Sequence, residues 1–235
     1  MPSGPLGISG RVKTWLLYVG VSWLTQSPLL GILAVAGLWL AGGSWWVGRL
    51  PDLLGPWRRF QRVRKLRDGY ALNPHDLVVR TELAGLLASR EPETAEQLLT
   101  EVLRRYPENE LAHYHRGRAL LARGVIDEGR AEVLEALRLR RDLRWGEPGV
   151  VLGDALMGAR RPAEALAAYQ LATGVHGSFA EAWYKAGSAA SAAGQPAEAR
   201  RLWGLALSTT VGAPPYKRRQ DRLWRWRAWF ALRRG

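Results

Sequence analysis

The pattern of hydrophobic and polar positions changes character near residue 49. From Thr14 to Gly48 the chain runs for 35 residues without a charged side chain. Beyond Gly48, apolar residues recur at helical spacing as far as residue 213, interrupted by short polar or glycine-containing turns. The pattern predicts an apolar amino-terminal segment followed by a series of amphipathic helices.

The uncharged segment has the length of a membrane anchor. Residues 29–48 supply about 20 mostly apolar positions, which as a helix would cross a hydrocarbon core of ~30 Å. The stretch 14–27 is shorter and is separated by Pro28. It fits an interfacial helix, a hairpin partner or a kinked extension of the span. We expect residues 1–50 to form an N-terminal membrane anchor with a transmembrane helix at 29–48. A second short apolar helix at 14–27 is possible.

Basic residues on the two sides of this segment predict its orientation. Seven lie within 49–75, against Arg11 and Lys13 on the amino side. Because cytoplasmic flanks carry the excess of basic residues, the remainder of the chain should be cytoplasmic. The sequence thus predicts an inner (plasma) membrane protein with a basic juxtamembrane helix at 51–75. The alternative is an exported, periplasmic orientation.

Small residues repeat at a nearly constant interval in the rest of the chain. Gly117, Gly153 and Gly187 are separated by 36 and 34 residues. Small side chains at such positions let two helices approach closely, and large apolar residues at the other repeated positions fill the space between neighbouring pairs. The repetition predicts four units, at about 77–109, 110–143, 146–179 and 180–213.

This spacing resembles the tetratricopeptide repeat (TPR) superfamily, whose units have a period of about 34 residues. The last unit carries Trp183, Ala186-Gly187, Trp203 and Ala206 at the family's offsets. The resemblance implies an all-α fold: a right-handed superhelical array of about four TPR helix pairs over 76–213. A C-terminal capping helix at 214–235 would close this array, and the transmembrane helix would precede it, as in a membrane-anchored bacterial-type member.

The resemblance also implies a groove that binds another protein or peptide. Carried over position by position, the groove residues would be Val78, Thr81, Leu111, Tyr114, Arg118, Glu147, Val150, Asp154, Glu181, Tyr184 and Ser188. Members that clamp a carboxyl-terminal peptide use lysine and asparagine at two of these positions. Here that clamp is absent, because the four corresponding pairs are Thr81 and Gly85, Tyr114 and Arg118, Val150 and Asp154, and Tyr184 and Ser188.

The net charge of +13 is concentrated outside the repeats. Residues 76–213 carry −1, whereas 49–75 carry +5 and 214–235 carry +7. A nucleic-acid partner is therefore not favoured, and the basic segments suit anionic lipid better. The residues expected at a lipid bilayer are Trp45, Trp46, Arg58, Arg59, Arg62, Trp224, Arg225 and Trp229.

The basic tail contains the sequence RLWRWRAWF at 222–230. Leu223, Trp226 and Phe230 recur at i, i+3 and i+7, and we expect this stripe to pack on the last repeat, because a stacked array needs a cap with one polar side. Trp224 and Trp229 fall away from the stripe. We expect these two tryptophans to contact the membrane or a partner.

No catalytic or metal-binding pattern accompanies these features. The chain has no cysteine, its four histidines lack metal-ligand spacing, and phosphate-binding or nucleophile motifs are absent. We predict a scaffold or adaptor that assembles complexes at the membrane, not an enzyme, with no cofactor. The alternatives are anionic-lipid or nucleic-acid contact through the tail, and a periplasmic assembly factor for envelope proteins.

Overall fold

The computed structural model of the chain describes residues 15, 18–23, 26, 29–33, 36–37, 55–209 and 221–234. The chain divides into two units, Met1–Phe60 and Gln61–Gly235. In the first unit, residues 18–23 and 29–33 are helical. Most of the second unit is a series of helix pairs.

The predicted inner-membrane localisation is corrected by this structure. Within the described ranges, no helix combines the length and the apolar composition that a bilayer crossing requires. Of the predicted span at 29–48, only 29–33 and 36–37 belong to those ranges. The rest of the span, including Trp45 and Trp46, lies outside the described residues, as do residues 51–54 of the predicted juxtamembrane helix.

The helices of the second unit follow one another in pairs. Helix α1 comprises Gly55–Leu72. The pairs that follow are α2 (Leu77–Leu87) with α3 (Pro92–Arg105), α4 (Glu110–Ala122) with α5 (Ile126–Leu139), α6 (Glu147–Gly158) with α7 (Pro162–Val175), and α8 (Ala180–Ala192) with α9 (Pro196–Ser208). A 3-10 turn, Leu143–Gly146, joins α5 to α6, and α10 comprises Arg222–Arg234. Each predicted repeat contains one pair, and the predicted all-helical array is confirmed.

Capping residues set where many of these helices begin. The side chain of Asp76 accepts hydrogen bonds from the backbone N–H groups at the start of α2, and Asn109 does the same for α4. The second helices α3, α7 and α9 begin with Pro92, Pro162 and Pro196. Proline suits the first helical position because its missing N–H would have no partner there.

The repeated glycines bring the two helices into close contact in three of the four pairs. A Cβ atom added to Gly153 would lie 2.4 Å from Tyr169 Cε1, and one added to Gly187 would lie 2.5 Å from Trp203 Cδ1. Gly117 is similarly close to the second helix of its own pair. The glycines therefore provide the space that the large side chains of the second helices occupy.

Helix α10 packs on the last pair, but with a different face from the one the sequence predicts. Ala228 is completely buried, and Ala231 and Leu232 pack against the core formed by α6 to α9. The expected contact stripe of Leu223, Trp226 and Phe230 is instead 55%, 56% and 47% exposed. The predicted stripe is wrong because the small side chain of Ala228 allows the closer approach.

Candidate functional site

The first helices of successive pairs contact one another and form a continuous surface. Helix α4 contacts α2 on one side and α6 on the other, and α6 is linked to α8 by an ion pair between Asp154 and Lys185. We call the surface formed by α2, α4, α6 and α8 the first-helix face. Most of the predicted groove residues belong to it.

Tyr114 and Glu147 connect the second and third pairs across this face. The Tyr114 hydroxyl donates a hydrogen bond of 2.9 Å to Glu147, which also accepts one of 2.6 Å from Arg144 Nε. Burial raises the pKa of Tyr114, and the adjacent carboxylate raises it further. Partial burial alone would raise the pKa of Glu147, but the hydrogen bonds from Arg144 and Tyr114 outweigh it and lower the pKa. Glu147 is thus ionised and already partnered.

Arg118 lies beside this cluster with much weaker partners. Its guanidinium is 5.7 Å from the ring centre of Tyr114 and makes hydrogen bonds of 3.4 Å to the carbonyl of Gly85 and to the Ser89 hydroxyl. In the described part of the chain, no carboxylate lies within ion-pair distance of Arg118. Its side chain therefore presents a cation whose strongest hydrogen-bonding capacity is unused.

His115 lies behind the same part of the face and is 7% exposed. Its imidazole ring occupies the space beside Gly85, where an added Cβ would be 2.7 Å from Nε2. Burial lowers the pKa of His115 to about 4, and the nearby Arg118 and Arg144 guanidinium groups lower it further. The ring is therefore neutral at physiological pH and serves packing.

A second polar network lies between α6 and α8. Lys185 Nζ lies 2.7 Å from Asp154 Oδ2 and 2.7 Å from Glu181 Oε1, and the Tyr169 hydroxyl donates to Asp154 Oδ1 at 2.7 Å. Partial burial alone would lower the pKa of Lys185, but the two carboxylates outweigh it and raise the pKa. Charges in this part of the face are therefore largely compensated.

Helix α10 covers the C-terminal end of the first-helix face. The ring centres of Trp224 and Tyr184 are 5.7 Å apart, and Lys185 Nζ lies 5.4 Å from the Trp224 ring centre. Trp224 therefore partly occupies the position that the sequence assigned to a partner. The accessible part of the face extends from α2 to the beginning of α8.

The other predicted groove residues differ in accessibility. Tyr114 is completely buried, and Thr81 and Val150 are each 7% exposed. These three support the surface from behind. Val78 is 67% exposed, and Leu111, Arg118, Glu147, Asp154, Glu181, Tyr184 and Ser188 are at least partly accessible.

The residues predicted to contact lipid, where they are described, differ in how they are packed. Trp224 packs on Tyr184, while Arg225 and Trp229 are only partly exposed. Arg62 forms an ion pair of 3.2 Å with Glu82 of α2. Arg58 and Arg59 belong to the first unit, where they also have contacts.

Arg144 and Lys185 contribute to the face although the sequence did not predict them. Arg144 lies in the 3-10 turn, where the backbone is left-handed, with φ of 46° at Arg144, 56° at Trp145 and 90° at Gly146. The interval of 36 residues between Gly117 and Gly153 was the available signal, because two extra residues in this unit indicate an altered connection. Lys185 carried no such signal.

No metal site is found in the ranges for which coordinates are described, since no three His, Asp or Glu side chains there are grouped closely enough to hold an ion. Several polar side chains of the first-helix face are paired with one another, as in the hydrogen bond between Tyr114 and Glu147 and the ion pair between Asp154 and Lys185.

Comparison with known proteins identifies the same architecture. A family model described as "Tetratricopeptide repeat" matches residues 85–146 and 150–215, more than half of the chain. No curated protein sequence matches.

Solved structures with this arrangement include MamA, with 17% identity and a TM-score of 0.55, covering 64% of this chain and 87% of that one. YrrB, described as a TPR protein with an unusual peptide-binding site, has 20% identity and a TM-score of 0.51, covering 72% and 89%. A thermophilic TPR protein of Thermus thermophilus has 16% identity and a TM-score of 0.55, covering 77% and 94%. At these identities the structures show a shared fold.

Proposed function

The chain belongs to the tetratricopeptide repeat family, and from that premise we propose that it is a scaffold that binds a peptide or helix of another protein on its first-helix face. Tetratricopeptide arrays are platforms whose function depends on the side chains they display. Along α4, α6 and α8, most of the accessible side chains assigned to this face are charged or polar. The role proposed is complex assembly without catalysis.

The weak hydrogen bonding of Arg118 is the observation on which this proposal rests. Glu147 and Asp154 already have cationic partners at 2.6 Å and 2.7 Å, whereas Arg118 has only two neutral acceptors at 3.4 Å. A carboxylate from a bound peptide would give the guanidinium shorter, charge-assisted hydrogen bonds. We therefore infer that the partner segment presents an aspartate, a glutamate or a terminal carboxylate at α4.

The surroundings of Arg118 prepare it for such a ligand. Tyr114 supports the guanidinium from below, and its ring is fixed by the hydrogen bond to Glu147. Because these groups are held in place before binding, little side-chain entropy would be lost in the complex. Leu111, which packs against the Tyr114 cluster, and Val78 of α2 add accessible apolar surface to the first-helix face for apolar residues of the ligand.

The YrrB description supports a peptide as the class of ligand, since that structural relative is itself described as having a peptide-binding site. At 20% identity, the binding residues of YrrB cannot be assigned to positions in this chain. The site on this chain is therefore argued from its own side chains.

Selection from a random peptide library on the full-length protein tests the proposal. We expect enrichment of sequences that contain an acidic residue, and slower backbone hydrogen exchange in α4, α6 and α8 when a selected peptide is bound. Selected peptides that protect only the second helices α5, α7 and α9 would contradict the proposal. Failure to enrich any sequence above the starting library would also count against it.

A further inference from the structure

Helix α10 has a second side that the packing described above leaves open. Ala228 faces the array, and Trp224 is held on Tyr184 of α8, so the helix cannot turn to bury its other side. Leu223, Trp226 and Phe230 are consequently about half exposed. We call Leu223, Trp226 and Phe230, with the adjacent exposed Arg222, the outer α10 face.

The position of α10 in the stack indicates what kind of element would fit this face. Helix α10 contacts both helices of the preceding pair, α8 and α9, as α4 contacts α2 and α3 and as α6 contacts α4 and α5. It thus takes the place of the first helix of a further pair. In each complete pair, the first helix is also covered by a second helix, and the described residues provide none for α10.

The aromatic side chains on this helix are arranged as a rigid ridge. The ring centres of Trp226 and Phe230 are 5.8 Å apart, and those of Trp229 and Phe230 are 4.9 Å apart in an edge-to-face arrangement. The Arg233 guanidinium lies 3.6 Å from the ring centre of Trp229. Side chains spaced by four residues, such as Trp226 and Phe230, form a ridge of the kind that packs into the groove of another helix.

The charge of α10 determines the chemistry of an occupant. Residues 222–234 contain five arginines and no carboxylate. Two copies of this face would bring like charges together, which disfavours self-association. An apolar stripe flanked by glutamate or aspartate would complement both the aromatic ridge and the arginines.

We propose that the outer α10 face binds an acidic amphipathic helix of a partner protein, which takes the position of the second helix of a further pair. This surface is separate from the first-helix face, because Trp224 and Trp226 lie on different sides of α10. The chain would then recognise two segments, one at Arg118 and one at Trp226.

A designed peptide probe tests this interaction with the full-length protein. The probe is a helix of about 16 residues with leucines at i, i+3, i+4 and i+7 and glutamates on both flanks. A matched probe has every glutamate replaced by lysine. Fluorescence anisotropy of labelled probes should show saturable binding of the glutamate peptide, with at least roughly tenfold weaker binding of the lysine peptide.

Variants of the outer α10 face distinguish specific binding from general attraction. The double variant Trp226→Ser with Phe230→Ser should weaken glutamate-peptide binding roughly tenfold or more, with an unchanged unfolding midpoint because both rings are exposed. Arg222→Glu should reduce the difference in affinity between the glutamate peptide and the lysine peptide. Arg138→Ala, which removes an exposed arginine of α5 that pairs with Glu135, should leave this binding unchanged.

Three results would overturn the inference. The first is equal binding of the glutamate peptide to the wild type and to the double serine variant. The second is binding of the protein to vesicles of phosphatidylglycerol and phosphatidylcholine, lost in the double serine variant, with no peptide binding. The third is a wild-type dimer that the double serine variant abolishes, again without peptide binding.

Discussion

The indole of Trp203 lies directly against Gly187, where an added Cβ would be 2.5 Å from Trp203 Cδ1. Gly187→Ala must therefore displace a buried ring and should lower the free energy of unfolding by roughly 1–3 kcal/mol. Gly204 lies in the facing helix α9 with nothing within 4 Å of an added Cβ, so Gly204→Ala is the matched control. It should be neutral or stabilising by up to about 1 kcal/mol because alanine favours helix. Urea unfolding measures the free energy of unfolding of both variants. Equal effects of the two substitutions would contradict the close contact between Gly187 and Trp203.

The hydrogen bond between Tyr114 and Glu147 joins two repeats and should contribute to stability. Tyr114→Phe keeps the buried ring and removes the donor to a charged acceptor, so we expect a loss of roughly 1–3 kcal/mol in the free energy of unfolding. Tyr106→Phe, which alters an exposed tyrosine, should change it by less than about 0.5 kcal/mol. Chemical denaturation compares the two variants. No difference between them would show that the bond is energetically unimportant.

His115 should make the protein less stable in acid. The pKa of His115 is about 4 in the folded protein, below its ordinary value of 6.5. The unfolded chain therefore binds a proton first as pH falls below 6.5. Stability that is present above pH 6.5 should decline by up to roughly 3 kcal/mol as pH falls to about 4.

Comparison of two histidine variants isolates this contribution. His115→Asn should reduce the slope of unfolding free energy against pH between about 7 and 5, whatever its effect at neutral pH. His75→Asn alters an exposed histidine and should keep the wild-type slope. A His115→Asn slope identical to that of the wild type would show that another group causes the acid sensitivity.

The orientation of α10 can be tested with its two neighbouring tryptophans. Trp224 packs on Tyr184 and beside Lys185, so Trp224→Ala should lower the free energy of unfolding by roughly 1–3 kcal/mol. Trp226 is 56% exposed, and Trp226→Ala should cost less than about 0.5 kcal/mol. Thermal or urea unfolding shows which of the two variants is destabilised more. The reverse order would restore the contact stripe that the sequence predicts.

The sequence predicts the array well because its signals are local. Gly117, Gly153 and Gly187 mark where three of the four helix pairs come closest, and Pro162 and Pro196 mark where second helices begin. These features depend on contacts within one unit of about 34 residues, so periodicity alone is sufficient.

The rotation of α10 about its axis and the set of side chains on the first-helix face depend on contacts between repeats. Two stripes of α10 are apolar, one through Trp226 and the other through Ala228, and periodicity does not choose between them. The choice depends on how closely α10 approaches α8 and α9. Likewise, Arg144 reaches Glu147 only because the turn before α6 has a left-handed backbone, which follows from the geometry of two repeats together.

The affinity of a library-selected acidic peptide for Arg118 variants tests the central claim most directly. Calorimetric titration should show that Arg118→Ala weakens binding roughly 10–100-fold, the loss expected for a charge-assisted hydrogen bond. Arg138→Ala removes an exposed arginine from the second helix α5, where it pairs with Glu135, and should leave the affinity unchanged. Equal affinities for the wild type and both variants would contradict peptide binding at Arg118 on the first-helix face.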